Sequence, residues 1–337
     1  MTESEIRELA RLPLDELVSR ARGLTDRVHG KQVLLRALVE TTNMCAMDCL
    51  YCGIRRSNGA VKRYRLDGKT LRDTLRAGVQ AGFNTFVLQG GEDSALAGEG
   101  LSRLAELARS AIGNEPALTF SYGIRDRREY EELRSAGVDR YLMRFETADP
   151  DLHRYLRNGV TLERRLQALD DLRSAGLQVG SGFMTGLPGE SEETLVRNIL
   201  LSQELRMDMG GVGPFIPHPD TPLASAEGST LELSIRATAL LRLALPECHI
   251  PATTAAGSID PEGRERLLEA GANVLMPNIT PTEQKRNYLL YPGKICLDES
   301  GFHCIGCLDI RVRGRGLTLS WDRGDALRFR RSRENAV

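Results

Sequence analysis

Residues 71–92 read LRDTLRAGVQAGFNTFVLQGGE. Leu71, Leu75 and Val79 recur at helical spacing, giving one apolar stripe. The triplet AGF at 81–83 places a glycine where a left-handed cap ends a helix. Residues 85–92 then read as a strand whose end, Gln89-Gly90-Gly91-Glu92, is polar or small. This is one helix–strand unit with its reactive groups at the strand's C-terminal end.

The unit recurs along the chain. Strand-like runs lie at 33–42, 85–92, 117–123, 140–147, 178–186, 209–217, 250–257 and 273–280. Helical patterns lie between them, as in Leu166, Leu169 and Leu172. Further glycine caps read AGV at 136–138, AGL at 175–177 and AGA at 270–272. Eight β-α alternations without a large insertion imply an α/β fold, a parallel sheet closed into a (β/α)8 TIM-type barrel. The competing fold is an open, doubly wound sheet. In a barrel the chemistry sits at the C-terminal strand ends. Polar clusters fall there: Thr41-Thr42-Asn43, Ser121-Tyr122, Arg144-Phe145-Glu146, Thr253-Thr254 and Pro277-Asn278. Three regions result: a helical lead-in at 1–30, the barrel at 31–290, and an extension at 291–337 that does not repeat the unit. Its basic run at 328–333 reads as a solvated end.

The first strand-like run ends on CAMDCLYC, in which Cys45, Cys49 and Cys52 stand three and two residues apart. Three thiolates can hold three irons of a [4Fe–4S] cube and leave the fourth open. The alternative is zinc, which usually takes four ligands in balanced pairs. Seven cysteines form two groups, 45/49/52 and 296/304/307, with Cys248 alone. The grouping reads as metal ligation in a reducing cytoplasm, not a disulfide framework. Cys248 reads as a packed apolar residue. Lysine plus arginine (45) nearly cancels aspartate plus glutamate (46), so no basic excess points to nucleic acid. No apolar run approaches a membrane span, and the charged start MTESEIRELARLPLDEL is no secretory signal.

Other segments carry two readings each. Gly90-Gly91-Glu92 is a turn, or a place where backbone approaches a ligand closely. Alternation puts Leu142, Arg144 and Glu146 on one strand face and Tyr141, Met143 and Phe145 on the other. Arg144 and Glu146 are then a structural ion pair at the rim or groups that meet a ligand. Tyr51 is a packing aromatic or a flat surface for a base. Arg165, read alone, is a solvated helix residue.

The cysteine spacing resembles that of the radical S-adenosylmethionine (SAM) enzymes. Over roughly 30–310 the chain resembles the HydE family, radical SAM maturases of [FeFe]-hydrogenase. The segments that carry this are CAMDCLYCGIRRSN, KRYRL, FVLQGGED, DRYLMRFETADPDLHRYLR, MTGLPGE, GVGPFIPHPDTPLA, IPATTAAG, GANVLMPNITP and YPGKIC. Biotin synthase and methylornithine synthase look like more distant relatives. The resemblance implies that Cys45, Cys49 and Cys52 bind the cluster, and that Gly90, Gly91 and Glu92 receive the methionine amino group of SAM. It implies SAM contacts for Ser121, Glu146 and Arg165, and an adenine surface for Tyr51. Arg36, Gln89, Thr253, Thr254, Tyr288 and Tyr291 match positions lining the barrel interior or its mouth, and on the functional reading of its strand face Arg144 meets the substrate. Cys296, Cys304 and Cys307 match an accessory Fe–S site found in part of the family; the alternatives are surface thiols or zinc. The chain departs from the family pattern at Phe145 (histidine expected), Gly90 (serine expected) and Phe183 (a small polar residue expected). Phe145 should point away from the lumen. Gly90 and Phe183 could reshape the cavity.

The resemblance implies an oxygen-sensitive enzyme that cleaves SAM reductively. The radical would act on an iron–cysteine complex bearing CO and cyanide, in assembly of the di-iron hydrogenase centre. It implies partner maturases and a reductant such as ferredoxin or flavodoxin. The alternatives are a radical SAM mutase acting on an amino acid and a non-catalytic Fe–S scaffold.

Overall fold

The computed structural model describes residues 1–329. Two helices, Glu3–Ala10 and Leu14–His29, lead in. Nine strands follow among the described residues: β1 Gln32–Leu35, β2 Ala37–Thr42, β3 Thr85–Gly90, β4 Ala117–Ser121, β5 Arg140–Leu142, β6 Gln178–Thr185, β7 Met209–Pro214, β8 Val274–Leu275 and β9 Thr318–Ser320. β2 to β7 form one parallel sheet in chain order. Single parallel bridges, Met209 to His249, Pro251 to Val274 and Leu38 to Asn278, carry the pairing from β7 through β8 back to β2. The sheet therefore closes as the barrel expected.

Every residue of β2, β6 and β7 is buried, because helices cover the outer face and side chains fill the lumen. The helix Gly68–Gln80 is capped by Asp67 and buries Leu71 and Leu75 against the sheet. The barrel core and the helix layer share one apolar cluster running from Ile6 to Leu317.

Three expectations need correction. The first run is two strands, since the chain leaves the ladder at Arg36. The run at 250–257 is not a strand. It pairs only at 249 and 251, and the helix Thr254–Ile259 starts at once. Pro251 brings no N–H to a ladder, which limits the pairing there. The basic run at the end of the C-terminal extension is not wholly solvated, and the residues before it join the barrel. β9 lies parallel to β1, in the place that β3 takes beside β2. The next residues, 322–326, close the barrel's N-terminal end. There Arg140, fully buried, pairs with Asp325 at 2.8 Å, and Gln178 and Arg323 bond the same carboxylate. Of the basic run, Arg328 pairs with Asp208 at 2.6 Å. Residues 330–333 of that run lie outside the described residues.

No helix among the described residues is long and apolar enough to cross a membrane.

Candidate functional site

The cysteine loop leaves the C-terminal end of β2 and is clamped on three sides. Ala46 N–H bonds Glu92 O at 2.9 Å, Leu50 N–H bonds Leu156 O at 2.9 Å, and Gly53 N–H bonds Leu290 O at 3.0 Å. Arg63 gathers the loop from within, donating to the carbonyls of Asn43, Ile54 and Arg55. Asp48 is held by Arg55 at 2.6 Å and by Ser57, which keeps its carboxyl down at about 2 despite burial. Such a loop is preorganised, because its turns are fixed by bonds that need no ligand.

Cys49 is buried, and Cys45 and Cys52 are half-buried. Burial raises all three thiols above the ordinary cysteine value. Deprotonation here therefore requires a strong cation as partner. Among the described residues no three His, Cys, Asp or Glu side chains converge on a point that one metal ion would fill. Three thiols on an eight-residue loop suit the separate irons of a cube instead.

Gly91 sits under the loop. A Cβ there would overlap Met44 O and Cys45 Cβ, so only glycine lets this turn meet the cysteines. Gly123, after β4, has φ +76° and lies flat against the Glu92 carboxylate, where a Cβ would overlap it. Gly90 is packed on Thr42 and Tyr122, so the serine expected there would have to displace one of them.

Beyond Glu92 the structure brings together Tyr51, Glu146 and Arg165, while Ser121 ends β4 opposite Gln89. Glu146 has φ +68°, a region that a glutamate rarely adopts. It is buried and accepts from Tyr51 Oη at 3.1 Å; its other oxygen lies 3.3 Å from Arg144 Nε without a hydrogen bond. Arg165 is not a solvated helix residue. It is buried, with Nε and Nη2 lacking any partner. Burial and then neighbouring Arg157 lower its pKa, yet a guanidinium stays charged. Buried polar atoms without partners are costly, so an anionic ligand group fits here. A carboxylate such as that of SAM's methionine would satisfy them.

Deeper in the lumen, Arg144 lies beside Gly211, and Thr253 lies beside Gly213 with its hydroxyl buried and unpartnered. Thr254 follows at the start of the short helix. Gln89 reaches Glu40 at 3.5 Å. Tyr288 and Tyr291 are held neutral, first by burial and then by the Glu40 charge. Arg36 is not with this group. It lies at the lumen's other end, donating to Met209 Sδ and to Gly324 O of the C-terminal plug. Phe183 does not reshape the lumen either; it packs on Phe145 with ring centroids 5.8 Å apart in the main core.

Four residues escaped the sequence reading. Glu40 and Lys294 form a buried ion pair at 2.5 Å that ties the segment before the tail cysteines to β2. A lone carboxylate in the run VLLRALVETT was the available signal. His153 is fully buried, bonds Phe145 O at 2.7 Å and is pushed by burial down to about 4. Arg157 touches Cys49, Tyr51 and Glu92.

The tail cysteines form a second group. Cys304 opens the helix Cys304–Arg313, and Cys307 lies one turn on. Cys296 has φ +61°. Cys304 donates to Glu299 at 3.5 Å, and its place beside Cys296 pulls that thiol below the ordinary cysteine value. Lys285 holds this loop through the carbonyls of Cys296 and Glu299. Cys248 is buried beneath Gly210 of β7.

The Radical SAM superfamily model matches residues 39–201. The [FeFe] hydrogenase maturase subunit HydE of Thermotoga maritima is 44% identical over 87% of this chain and 84% of its own. The 3-methylornithine synthase of Methanosarcina acetivorans is 28% identical over 85% and 81%. The crystal structure of methylornithine synthase (PylB) superposes with TM-score 0.83 at 24% identity, covering 95% of this chain and 94% of that one. That superposition supports the barrel. The level of identity to the Thermotoga protein over most of both chains shows that this chain belongs to the HydE family of radical SAM enzymes, which use a [4Fe–4S] cluster and SAM.

Proposed function

We propose that the chain acts in maturation of [FeFe]-hydrogenase as its HydE component. The observation that carries this is the 44% identity to a HydE over 84% of that protein. Cys45, Cys49 and Cys52 hold the cluster, with Gly91 admitting the loop. A reduced cluster with SAM bound supplies a 5′-deoxyadenosyl radical and methionine. Arg165 takes the methionine carboxylate, and the turn Gly90-Gly91-Glu92 receives its amine. Ser121 and Glu146 bind the SAM ribose and amine, with Tyr51 as the surface beneath the adenine. Arg144, Gln89, Thr253, Thr254, Tyr288 and Tyr291 line the substrate side. An arginine with an unpartnered buried threonine opposite suits an anionic small molecule, such as an iron–cysteine complex bearing CO and cyanide. Arg36, at the lumen's far end, is a second cation facing that interior. Cys296, Cys304 and Cys307 form an accessory Fe–S site outside the lumen. The regions 1–30, 31–290 and 291–337 serve as lead-in, barrel and extension. The extension also completes the barrel's closure. Partner maturases and a one-electron donor of the ferredoxin or flavodoxin kind complete the system.

The test replaces the Thermotoga HydE by this chain in a hydrogenase maturation system that lacks its own. Hydrogen evolution by the matured hydrogenase is the expected result. SAM cleavage without matured hydrogenase, with turnover of an amino acid instead, would overturn it in favour of the mutase reading.

A further inference from the structure

Arg157 closes the helix Pro150–Leu156, and its backbone N–H bonds His153 O. Leu50 N–H of the cysteine loop bonds Leu156 O, one residue earlier. The backbone thus fixes Arg157 beside the cysteines. Its side chain is 9% exposed and spans three elements. Nη1 lies 3.1 Å from Cys49 Sγ and 3.4 Å from Tyr51 Oη. Nη2 lies 3.0 Å from Glu92 Oε1. Arg165 nearby leaves Nε and Nη2 open for a ligand, whereas both terminal nitrogens of Arg157 are already committed to the protein. Two buried arginines in one site therefore do different work.

We propose that Arg157 is a positioning residue that donates an N–H···S hydrogen bond to Cys49 and raises the reduction potential of the cluster. A cationic donor withdraws charge from a ligating sulfur and favours the more negative, reduced state. The site is dry, so the effect is weakly screened. The same guanidinium holds the Glu92 carboxylate, which opposes it. Removing Arg157 therefore subtracts a cation and leaves an anion next to the cluster. Removing the Glu92 charge does the reverse. The inference rests on the cluster reading for Cys45, Cys49 and Cys52, and the wild-type spectrum tests that separately.

The experiment is a redox titration of the anaerobically reconstituted full chain, followed by electron paramagnetic resonance. Every protein carries Cys307→Ala, at an exposed tail cysteine, so that the signal belongs to this cluster and not to one at the tail. Iron content is matched between variants. In Arg157→Met the ratio of reduced to oxidised cluster at a fixed potential should fall about tenfold, ~59 mV for one electron. Arg157→Lys should shift in the same direction by less, because a point charge cannot fork between sulfur and carboxylate. Glu92→Gln should shift the opposite way. If Arg157→Met holds no cluster, Arg157→Lys against Glu92→Gln decides by the same opposite signs. Unchanged potentials in the Arg157 variants, or shifts of one sign at both residues, would overturn the proposal, since simple loosening of the site has no reason to reverse sign. A wild-type protein without the cluster signal would sink the underlying cluster reading instead.

Discussion

Asp325→Ala is expected to lower the unfolding free energy by about 3–5 kcal/mol, the cost of leaving a buried charge without its partner. Arg140 is fully buried on β5; its Nε and Nη1 have no hydrogen bond, and Nη2 alone donates, to Asp325 and to Arg323 O. Asp325 answers it at 2.8 Å and also accepts from Gln178 at 2.9 Å and Arg323 at 2.8 Å. The same segment gives Arg323 O to Thr85 and to Arg140, so the plug ties β3, β5 and β6 together. Arg140 and the other donors hold the Asp325 carboxyl well below the usual range, against the opposing effect of burial. The sign follows from linkage. A depressed folded-state value gives stability that is complete above the unfolded value of about 3.9 and is lost as pH falls through the folded one. The wild-type pair should therefore persist down to about pH 4, and the variant's deficit should be flat across neutral pH. Chemical denaturation of both proteins measures this. Asp73→Ala, which breaks an exposed pair with Lys69, is the control and should stay within about 0.5 kcal/mol. An Asp325 variant as stable as the control would mean that the C-terminal plug is ornamental.

Arg165→Met should weaken SAM binding by about 10–150-fold, from about 1.5–3 kcal/mol for hydrogen bonds to a charged group. The reasoning starts from the two unpartnered buried nitrogens of Arg165. Methionine fills the space without a charge or a donor. Iron content should be unchanged, because Arg165 contacts none of Cys45, Cys49 and Cys52 through any hydrogen bond. Arg164→Met, one residue earlier and with its hydrogen bond exposed, should leave SAM affinity as it was. Calorimetric titration with SAM decides between them. Equal affinities for wild type and Arg165→Met would remove Arg165 from the SAM site.

The repeat was legible because each unit carries its own signals: Leu71 and Leu75 for the helix, a glycine cap, and apolar residues ending on Gln89-Gly90-Gly91-Glu92. The Pro251 segment was misread because an apolar run does not show how few of its residues will pair. β9 was invisible for a related reason, since three residues matter only through their partner, Gln32–Leu34. The cysteine loop was legible because its ligands are close in sequence. Arg157 and Lys294 were not, because their partners lie 108 and 254 residues away. That Phe183 leaves the cavity alone was hidden for want of register: the pairing with β7 sets Gly182 beside Gly211, and Phe183 packs in the core. Charged residues are the hardest to assign in this way. Sequence gives their charge, and only the fold tells Arg165, buried with two unpartnered nitrogens, from Arg140, which pairs with Asp325.

A cluster on the Cys45–Cys52 loop that cleaves SAM leaves a chemical product. The direct measurement is 5′-deoxyadenosine, or an adenosylated product, formed by the reconstituted and reduced protein with SAM, beside a Cys49→Ala control. Product in the wild type and its loss in Cys49→Ala is the predicted result. A wild-type protein with a full cluster that leaves SAM intact, even with the hydrogenase maturation components present, would contradict it and return the chain to the role of an Fe–S scaffold.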